Sequence, residues 1–582
     1  MARDPSTARV PPEAPKWSRE SGRHATPRRV VDRLVRVLCE LGVEQAFGLI
    51  GGANAPFVDA LGKSPIQVVH CRHEGGAAFA ATEASLACGR PTLVFATTGP
   101  GILNALNGLA AARWEGARVI LVSGVTSAAQ RGRWAAQETS AFTLPPSGIF
   151  SEGPVFDYAT VVEDPAELEN IATRLAVGLL RPQGFVAHLA LPIAIQGALR
   201  AEYVVVPSVA VSTPSCSAAD IVRCRELLLP GRFVIWVGFG ARNVGNSLLD
   251  LAERAEAHVL STPRAKGTFP EDHPLYLGTT GMGGHEGIVD RLRQLAPERA
   301  LVLGTKLGEG SSFWSSGLVP KHGFVHVDVD PSVPGAAYAG VETLGVQAEI
   351  SGFVEALRDH YAPRAGRAVS PVRSPEGLVA RPGLVRPPFL MQEVQRVIVE
   401  GSDALVMAES GNAFAWSSQC LRFRDPFRYR VSTGFGSMGH FTAGAIGAAL
   451  ARRGKVVALV GDGSMLMNNE VSTAVQYAAP VVWIVLNDGG YGMVDHAMRA
   501  SGFAPVGTRF PKVDFASFAQ SMGAHGGAVT TENELAERLR WALELEGPCV
   551  LDVFVDPDEP SPVLARVRSL MRQGKDSIPE KR

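Results

Sequence analysis

Lys455-Val456-Val457-Ala458-Leu459-Val460 runs without a break into Gly461-Asp462-Gly463-Ser464. After a stretch that reads as helix, Met465–Ala479, a second apolar run, Val481–Leu486, ends in Asn487-Asp488-Gly489-Gly490. Short apolar runs rich in Val and Ile read as strands buried on both faces. With a helix between them, they fit neighbouring parallel strands. Glycines at a strand end let backbone N–H groups come close to a phosphate. A helix that starts there favours negative charge, and a diphosphate needs a divalent cation held by oxygens. Asp462 offers one carboxylate. A parallel neighbour brings Asp488 to the same sheet edge, at the carboxyl ends of the strands where open α/β sheets bind ligands. Gly490 adds a backbone carbonyl. Either tetrapeptide alone is ordinarily just a turn; at the ends of two successive buried strands they point to a metal-assisted diphosphate site.

The same alternation continues on both sides. Val30–Leu41 has helical spacing, and Gln45–Leu49, Gln67–His70, Thr92–Thr98, Arg118–Val122 and Phe185–Leu191 read as strands. A second block has Phe233–Val237, His258–Ser261, Ala300–Gly304 and Phe324–Val329; the third has Ala404–Ala408, the two strands above, and Cys549–Val555. The expectation is an α/β chain of three doubly wound parallel-sheet domains. Their limits are 26–196, 218–360 and 388–560, with linkers at 197–217 and 361–387. Residues 1–25, rich in Pro, Arg and Ser, read as a disordered extension, and 561–582 as a surface helix or tail.

Composition narrows the function. The 582 residues carry a formal net charge of -1, which gives no basic excess for nucleic acid and no acidic tail for a basic partner. Seven cysteines without a C-x-x-C pair argue against a zinc site or a disulfide framework. No apolar run is long enough to span a bilayer, and the N-terminus lacks the apolar core of a signal peptide, so a cytoplasmic protein without membrane contact is expected.

The Gly-Asp-Gly stretch followed some 25 residues later by an Asn-Asp pair resembles the thiamine-diphosphate enzyme superfamily, in its acetolactate synthase-like branch. The resemblance spans about residues 27–560 and is strongest in the outer blocks. It implies that thiamine diphosphate and Mg2+ are bound, with Asp462, Asp488 and the Gly490 carbonyl on the metal. Asp488 departs from the commoner Asn and resembles catabolic acetolactate synthases. Gly461, Gly463, Ser464, Tyr491, Gly492 and Met493 would lie along the cofactor, as would Gly411 and Asn412 of Ser410-Gly411-Asn412. In Gly436-Ser437-Met438-Gly439, the Gly436 carbonyl would accept from the cofactor's amino group and Met438 would wedge under its two rings.

The superfamily also needs a carboxyl beside the aminopyrimidine to promote loss of the thiazolium C2 proton. Such a carboxyl works at neutral pH when an apolar site raises its pKa. Glu74 fits: it follows the strand Gln67–His70 and opens an Ala-rich helix in Cys71-Arg72-His73-Glu74-Gly75-Gly76-Ala77-Ala78. Thr97-Thr98-Gly99-Pro100-Gly101 resembles the turn beside the pyrimidine. Gln137 resembles a glutamine facing the reacting centre, although Ala136 stands where the family has Phe. His73, Gln137, Tyr491 and His496 are the candidate substrate-side groups. By the same resemblance the first block is the pyrimidine-binding domain and the third the diphosphate-binding domain. The cofactor would lie between subunits of a homodimer or homotetramer.

In the middle block, Phe269-Pro270-Glu271-Asp272-His273-Pro274 and Val327-Asp328-Val329-Asp330-Pro331 resemble acetolactate synthases, many of which carry FAD there. Two departures weigh against FAD. Lys306-Leu307-Gly308-Glu309-Gly310 replaces their Arg-Phe-Asp-Asp-Arg run, and the glycines Gly238, Gly240 and Gly245 do not complete a dinucleotide fingerprint. The expected reaction decarboxylates a small 2-oxo acid, pyruvate first, and ligates the acyl unit to an acceptor. The Trp that follows Gly-Met-Val in biosynthetic synthases is missing after Gly492-Met493-Val494, so the acceptor pocket differs. The alternatives are a non-oxidative 2-oxo-acid decarboxylase or an acyl-CoA lyase; the paired His-His of pyruvate decarboxylases is absent. A non-catalytic homologue would have shed Glu74, Asp462 and Gly436, and all three are present.

Overall fold

The computed structural model describes residues 28–200, 203–210, 212–363, 377–467 and 470–572. Three six-stranded parallel sheets carry it, one in each expected block. In the first domain the strands are, in chain order, Gln45–Gly48, Gln67–His70, Thr92–Ala96, Arg118–Val125, Tyr158–Val161 and Phe185–Pro192. In the third they are Leu405–Ala408, Tyr429–Val431, Val456–Gly461, Val481–Asn487, His525–Val529 and Cys549–Phe554. Numbered within each domain, both sheets have the spatial order 2-1-3-4-6-5. The outer blocks, which share no evident sequence repeat, are thus one topology used twice. The middle sheet, built from Phe233–Val237, His258–Ser261, Tyr276–Thr279, Arg299–Leu303, Phe324–Asp328 and Thr343–Gln347, has the order 3-2-1-4-5-6.

The apolar runs form strands because both of their faces are covered. Along Val456–Gly461, Val457 and Leu459 join the core on one side of the sheet, while Val456, Ala458 and Val460 join the core on the other. Burial on both faces removes the polar alternation that would mark a half-exposed strand.

Small residues let the outer domains meet. The helix Glu74–Cys88 packs along His440–Arg452. A side chain at Gly447 would put its Cβ 1.9 Å from the Ala80 carbonyl oxygen, so only glycine allows the approach. Across this joint Arg430 ion-pairs with both Glu83 and Glu115, His440 Nε2 lies 2.8 Å from Glu83, and Arg264 of the middle domain reaches Glu115. Glu115 is held at about 2 because the nearby arginines outweigh its burial. The Phe269–Pro274 motif is a second clasp. The Lys266 ammonium donates to Glu271 at 2.8 Å with both groups buried, and Glu271 also accepts from the Phe423 N–H of the third domain.

Several expectations are corrected. Met465–Ala479 is not one helix: a single turn spans Asp462–Met465, a separate short helix Val471–Gln476, and 468–469 lie outside the described residues. Five strands were not foreseen: Tyr158–Val161, Tyr276–Thr279, Thr343–Gln347, Tyr429–Val431 and His525–Val529. The 197–217 segment includes a two-residue strand, Leu199–Arg200, paired antiparallel with Arg28–Arg29. Residues 561–582, read as a surface helix or tail, include the helix Leu564–Arg572, in keeping with that reading. The expected extension 1–25, residues 364–376 of the 361–387 linker and residues 573–582 lie outside the described residues. Gly238 and Gly240 serve backbone packing: Gly240 N–H donates to the Gly304 carbonyl, and a Cβ on Gly238 would sit 2.2 Å from Thr305.

Candidate active site

In the third sheet the strand order reverses between Leu405–Ala408 and Val456–Gly461, which makes a crevice at their carboxyl ends. The loops leaving these two strands carry Gly411 and Asn412 on one side and Asp462, Gly463 and Ser464 on the other. Gly461 pairs with Leu486 of the next strand, so the Asp488 loop opens beside them. Asp462 Oδ1 accepts from Gly463 N–H at 2.7 Å; Oδ2 accepts from Gly489 and Gly490 N–H at 2.8 and 3.1 Å. The two expected metal carboxylates are thereby fixed on adjoining loops. Burial, then the charge of Asp488, pushes Asp462 up to about 7; burial raises Asp488 to about 6.

The rest of the diphosphate-side set gathers here. A Cβ on Gly463 would lie 2.6 Å from the Tyr491 ring and 3.5 Å from Met438 Cε, so Gly463, Tyr491 and Met438 are mutual neighbours. Gly492 lies against the Asp488 carboxylate and the Asn412 amide, and Met493 follows it in the helix Gly492–Ala500. Gly411 and Gly436 hold φ of +115° and +67°, backbone that a side chain would strain. The helical turn at Asp462 is only four residues long, so no long helix dipole points at this crevice.

In the first domain, Glu74 is buried at the start of its helix and its Oε2 accepts from Asn104 Nδ2 at 3.1 Å. Gly101 of the Thr97–Gly101 turn leaves room for Oε1. Thr98 donates to Gln137 Oε1 at 3.2 Å, which ties Gln137, at φ +53°, to this turn. His73 Nδ1 accepts from Gly75 N–H and caps the helix, so a neutral His73 carries its proton on Nε2. His496 Nε2 donates to the Pro557 carbonyl and holds the C-terminal segment. Sequence reasoning missed four polar partners: Asn104 on Glu74, Ser561 on Asn412, Arg509 on the Asp488 carbonyl, and Glu409, which accepts from Phe441 and Thr442 N–H. No spacing in the sequence marks them, because each reaches the site through a tertiary contact.

Three family models match in chain order: the N-terminal thiamine pyrophosphate binding domain over 28–144, the central domain over 229–357 and the C-terminal binding domain over 409–553. A Mycobacterium tuberculosis protein provisionally named as an acetolactate synthase large subunit is 30% identical over 556 residues, covering 91% of this chain and 98% of its own. The chain belongs to the thiamine pyrophosphate enzyme family. The acetolactate synthase of Mycobacterium bovis is 28% identical, with 90% of this chain and 88% of that one covered. A solved Mycobacterium smegmatis structure, provisionally assigned as a thiamin diphosphate-dependent enzyme, shares the fold at 21% identity and a TM-score of 0.75, covering 91% of this chain and 99% of its own. In this thiamine pyrophosphate enzyme, Glu74 and Gln137 fall in the N-terminal model, and every diphosphate-side residue expected from the sequence falls in the C-terminal one. Among the described residues no helix is long and apolar enough to cross a membrane.

The residues suit a hard divalent cation. Asp488 Oδ1 is buried without a hydrogen-bond partner among the described residues, an arrangement that is costly unless something positive meets it. No cluster of three or more His, Cys, Asp or Glu side chains stands ready for a metal among the described residues. Mg2+ usually takes one or two carboxylates and completes its shell with water and ligand oxygens, and a pair of carboxylates on adjoining loops suits that.

Proposed function

We propose that the chain is a Mg2+- and thiamine-diphosphate-dependent carboligase that decarboxylates a small 2-oxo acid, pyruvate first, and joins the acyl unit to a second carbonyl compound. The observation that supports this most is the Asp462–Asp488 pair at adjoining parallel strand ends, with a buried Asp488 oxygen that has no hydrogen-bond partner among the described residues. Asp462, Asp488 and the Gly490 carbonyl would hold Mg2+. Gly461, Gly463, Ser464, Gly411 and Asn412 would face the diphosphate, and Met438 with Tyr491 would support the rings. Thiamine diphosphate, when bound, would supply a carbon nucleophile and an electron sink for decarboxylation.

The protein's own part is proton handling and orientation. Glu74, oriented by Asn104, exchanges a proton with the aminopyrimidine ring. His73 Nε2–H and the Gln137 amide are the donors assigned to substrate oxygens. The missing Trp after Val494 gives an acceptor pocket unlike that of biosynthetic synthases. The reading includes a homo-oligomer whose second copy covers the Gln137 loop, where Trp134 is 97% and Phe142 77% exposed. Sedimentation would check it, and a monomer at working concentration would refute it.

Glu74→Gln is the test. General acid–base catalysis contributes about 100- to 10,000-fold. Turnover should fall at least about 100-fold while the cofactor still binds; full activity in the variant would refute the assignment.

A further inference from the structure

The segment after the Gly-Asp-Gly turn does more than lead to the next strand. Glu470, 3% exposed, reaches from the third domain to the turn just before Glu74 in the same chain. Its Oε1 accepts from His73 N–H at 2.9 Å, and both of its oxygens accept from Arg72 N–H at 3.0 Å. Thr473 donates to Oε2 at 2.6 Å and steadies the carboxylate. The helix that follows completes the grip: Tyr477 OH accepts from His70 N–H, and Ser472 and Gln476 accept from the Arg72 guanidinium. Gly76 makes room, since a Cβ there would sit 2.6 Å from Glu470 Oε1. The backbone N–H groups of residues 70, 72 and 73 are thus all taken by side chains lying within fifteen residues of Asp462. Charge-assisted bonds of this kind hold a turn more firmly than neutral ones.

We propose that Glu470 is a positioning residue for Glu74, and that through it the diphosphate-side loop sets the turn from which Glu74 is aimed. This rests on the thiamine-diphosphate reading above. Glu470 touches neither cofactor nor substrate in this role; it acts through the backbone of Arg72 and His73. One acceptor oxygen suffices for both N–H groups, so Glu470→Gln keeps the grip, with its amide turned toward Thr473. Glu470→Ala abolishes it.

The test measures amide hydrogen exchange of residues 70–79 in the full chain, with and without thiamine diphosphate and Mg2+, alongside cofactor titration and kinetics. Without cofactor, Glu470→Ala should exchange this segment about tenfold faster or more, while Glu470→Gln stays within about threefold of the parent. With cofactor, the parent should gain protection there and Glu470→Ala should not. The Ala variant should bind cofactor within about threefold of the parent yet turn over about tenfold slower at unchanged KM, and Gln should restore the rate. Equal exchange in parent and Ala variant would overturn the proposal. So would faster exchange spreading to the buried strand Val456–Gly461, which would make Glu470 a general fold residue. The two failures separate: a parent chain that binds no thiamine diphosphate refutes the functional reading, and one that binds it but exchanges like its Ala variant refutes only the positioning.

Discussion

Gly492→Ala isolates the metal chemistry from the fold. The new Cβ would sit 2.0 Å from Asp488 Oδ2 and 2.9 Å from Asn412 Nδ2, where real Cβ contacts do not fall below 3.0 Å. The Asp488 carboxylate must then move by about 1 Å, the difference between 3.0 and 2.0 Å. Mg2+ demands near-ideal ligand placement, so that shift removes a ligand. Loss of a supporting contact alone costs about 10- to 100-fold in metal affinity, and a displaced ligand should cost about 100-fold or more. Gly492 opens the helix Gly492–Ala500 with no left-handed φ, and Ala is preferred to Gly within a helix by about 1 kcal/mol. Helix propensity offsets part of the cost of the clash, so the chain should stay folded, within about 1–3 kcal/mol of the parent, while cation affinity collapses. Calorimetric titration of Mg2+ with thiamine diphosphate present, beside a thermal melt, measures both. Parent-like Mg2+ affinity in a well-folded variant would refute the placement of Asp488 on the metal.

Other outcomes follow from the buried charges. Lys266→Met leaves Glu271 buried without its cation, which should cost about 3–5 kcal/mol in denaturant unfolding; Lys266→Met with Glu271→Gln, which removes the charge but keeps an acceptor for the Gly267 and Phe423 N–H groups, should recover much of that loss. His188 and His326 are pushed down to about 4 by burial, against an ordinary value of 6.5. The unfolded chain then binds more protons between those limits, so stability falls as pH drops through that window, by roughly 2 kcal/mol per residue between about pH 6.5 and 5. Denaturant melts across that range check it; His188→Gln should flatten its share of the slope, and an unchanged slope would contradict the assignment.

Which parts of the molecule were legible follows from burial. Central strands such as Phe233–Val237 and Val481–Asn487 are continuous apolar runs, and the sequence reading places them within a residue. The five unforeseen strands all lie at sheet edges. There one face or end meets solvent, as in Thr343–Gln347, or glycine interrupts the run, as in His525–Val529. At the site, Asp462, Asp488 and Gly463 were readable because local sequence places them at strand ends. Asn104, Arg509 and Glu470 were not, since their roles arise from segments that meet only after folding. The partner of His496 was equally hidden: its imidazole holds the Pro557 carbonyl, sixty-one residues away in the chain.

The central claim is tested most directly by mass spectrometry of the products formed from pyruvate, thiamine diphosphate and Mg2+ with a panel of aldehydes, 2-oxo acids and acyl thioesters. The account predicts a product with a new carbon–carbon bond, formed with loss of CO2, whose mass identifies the acceptor. Free acetaldehyde as the sole product, whatever acceptor is supplied, would contradict the carboligase reading.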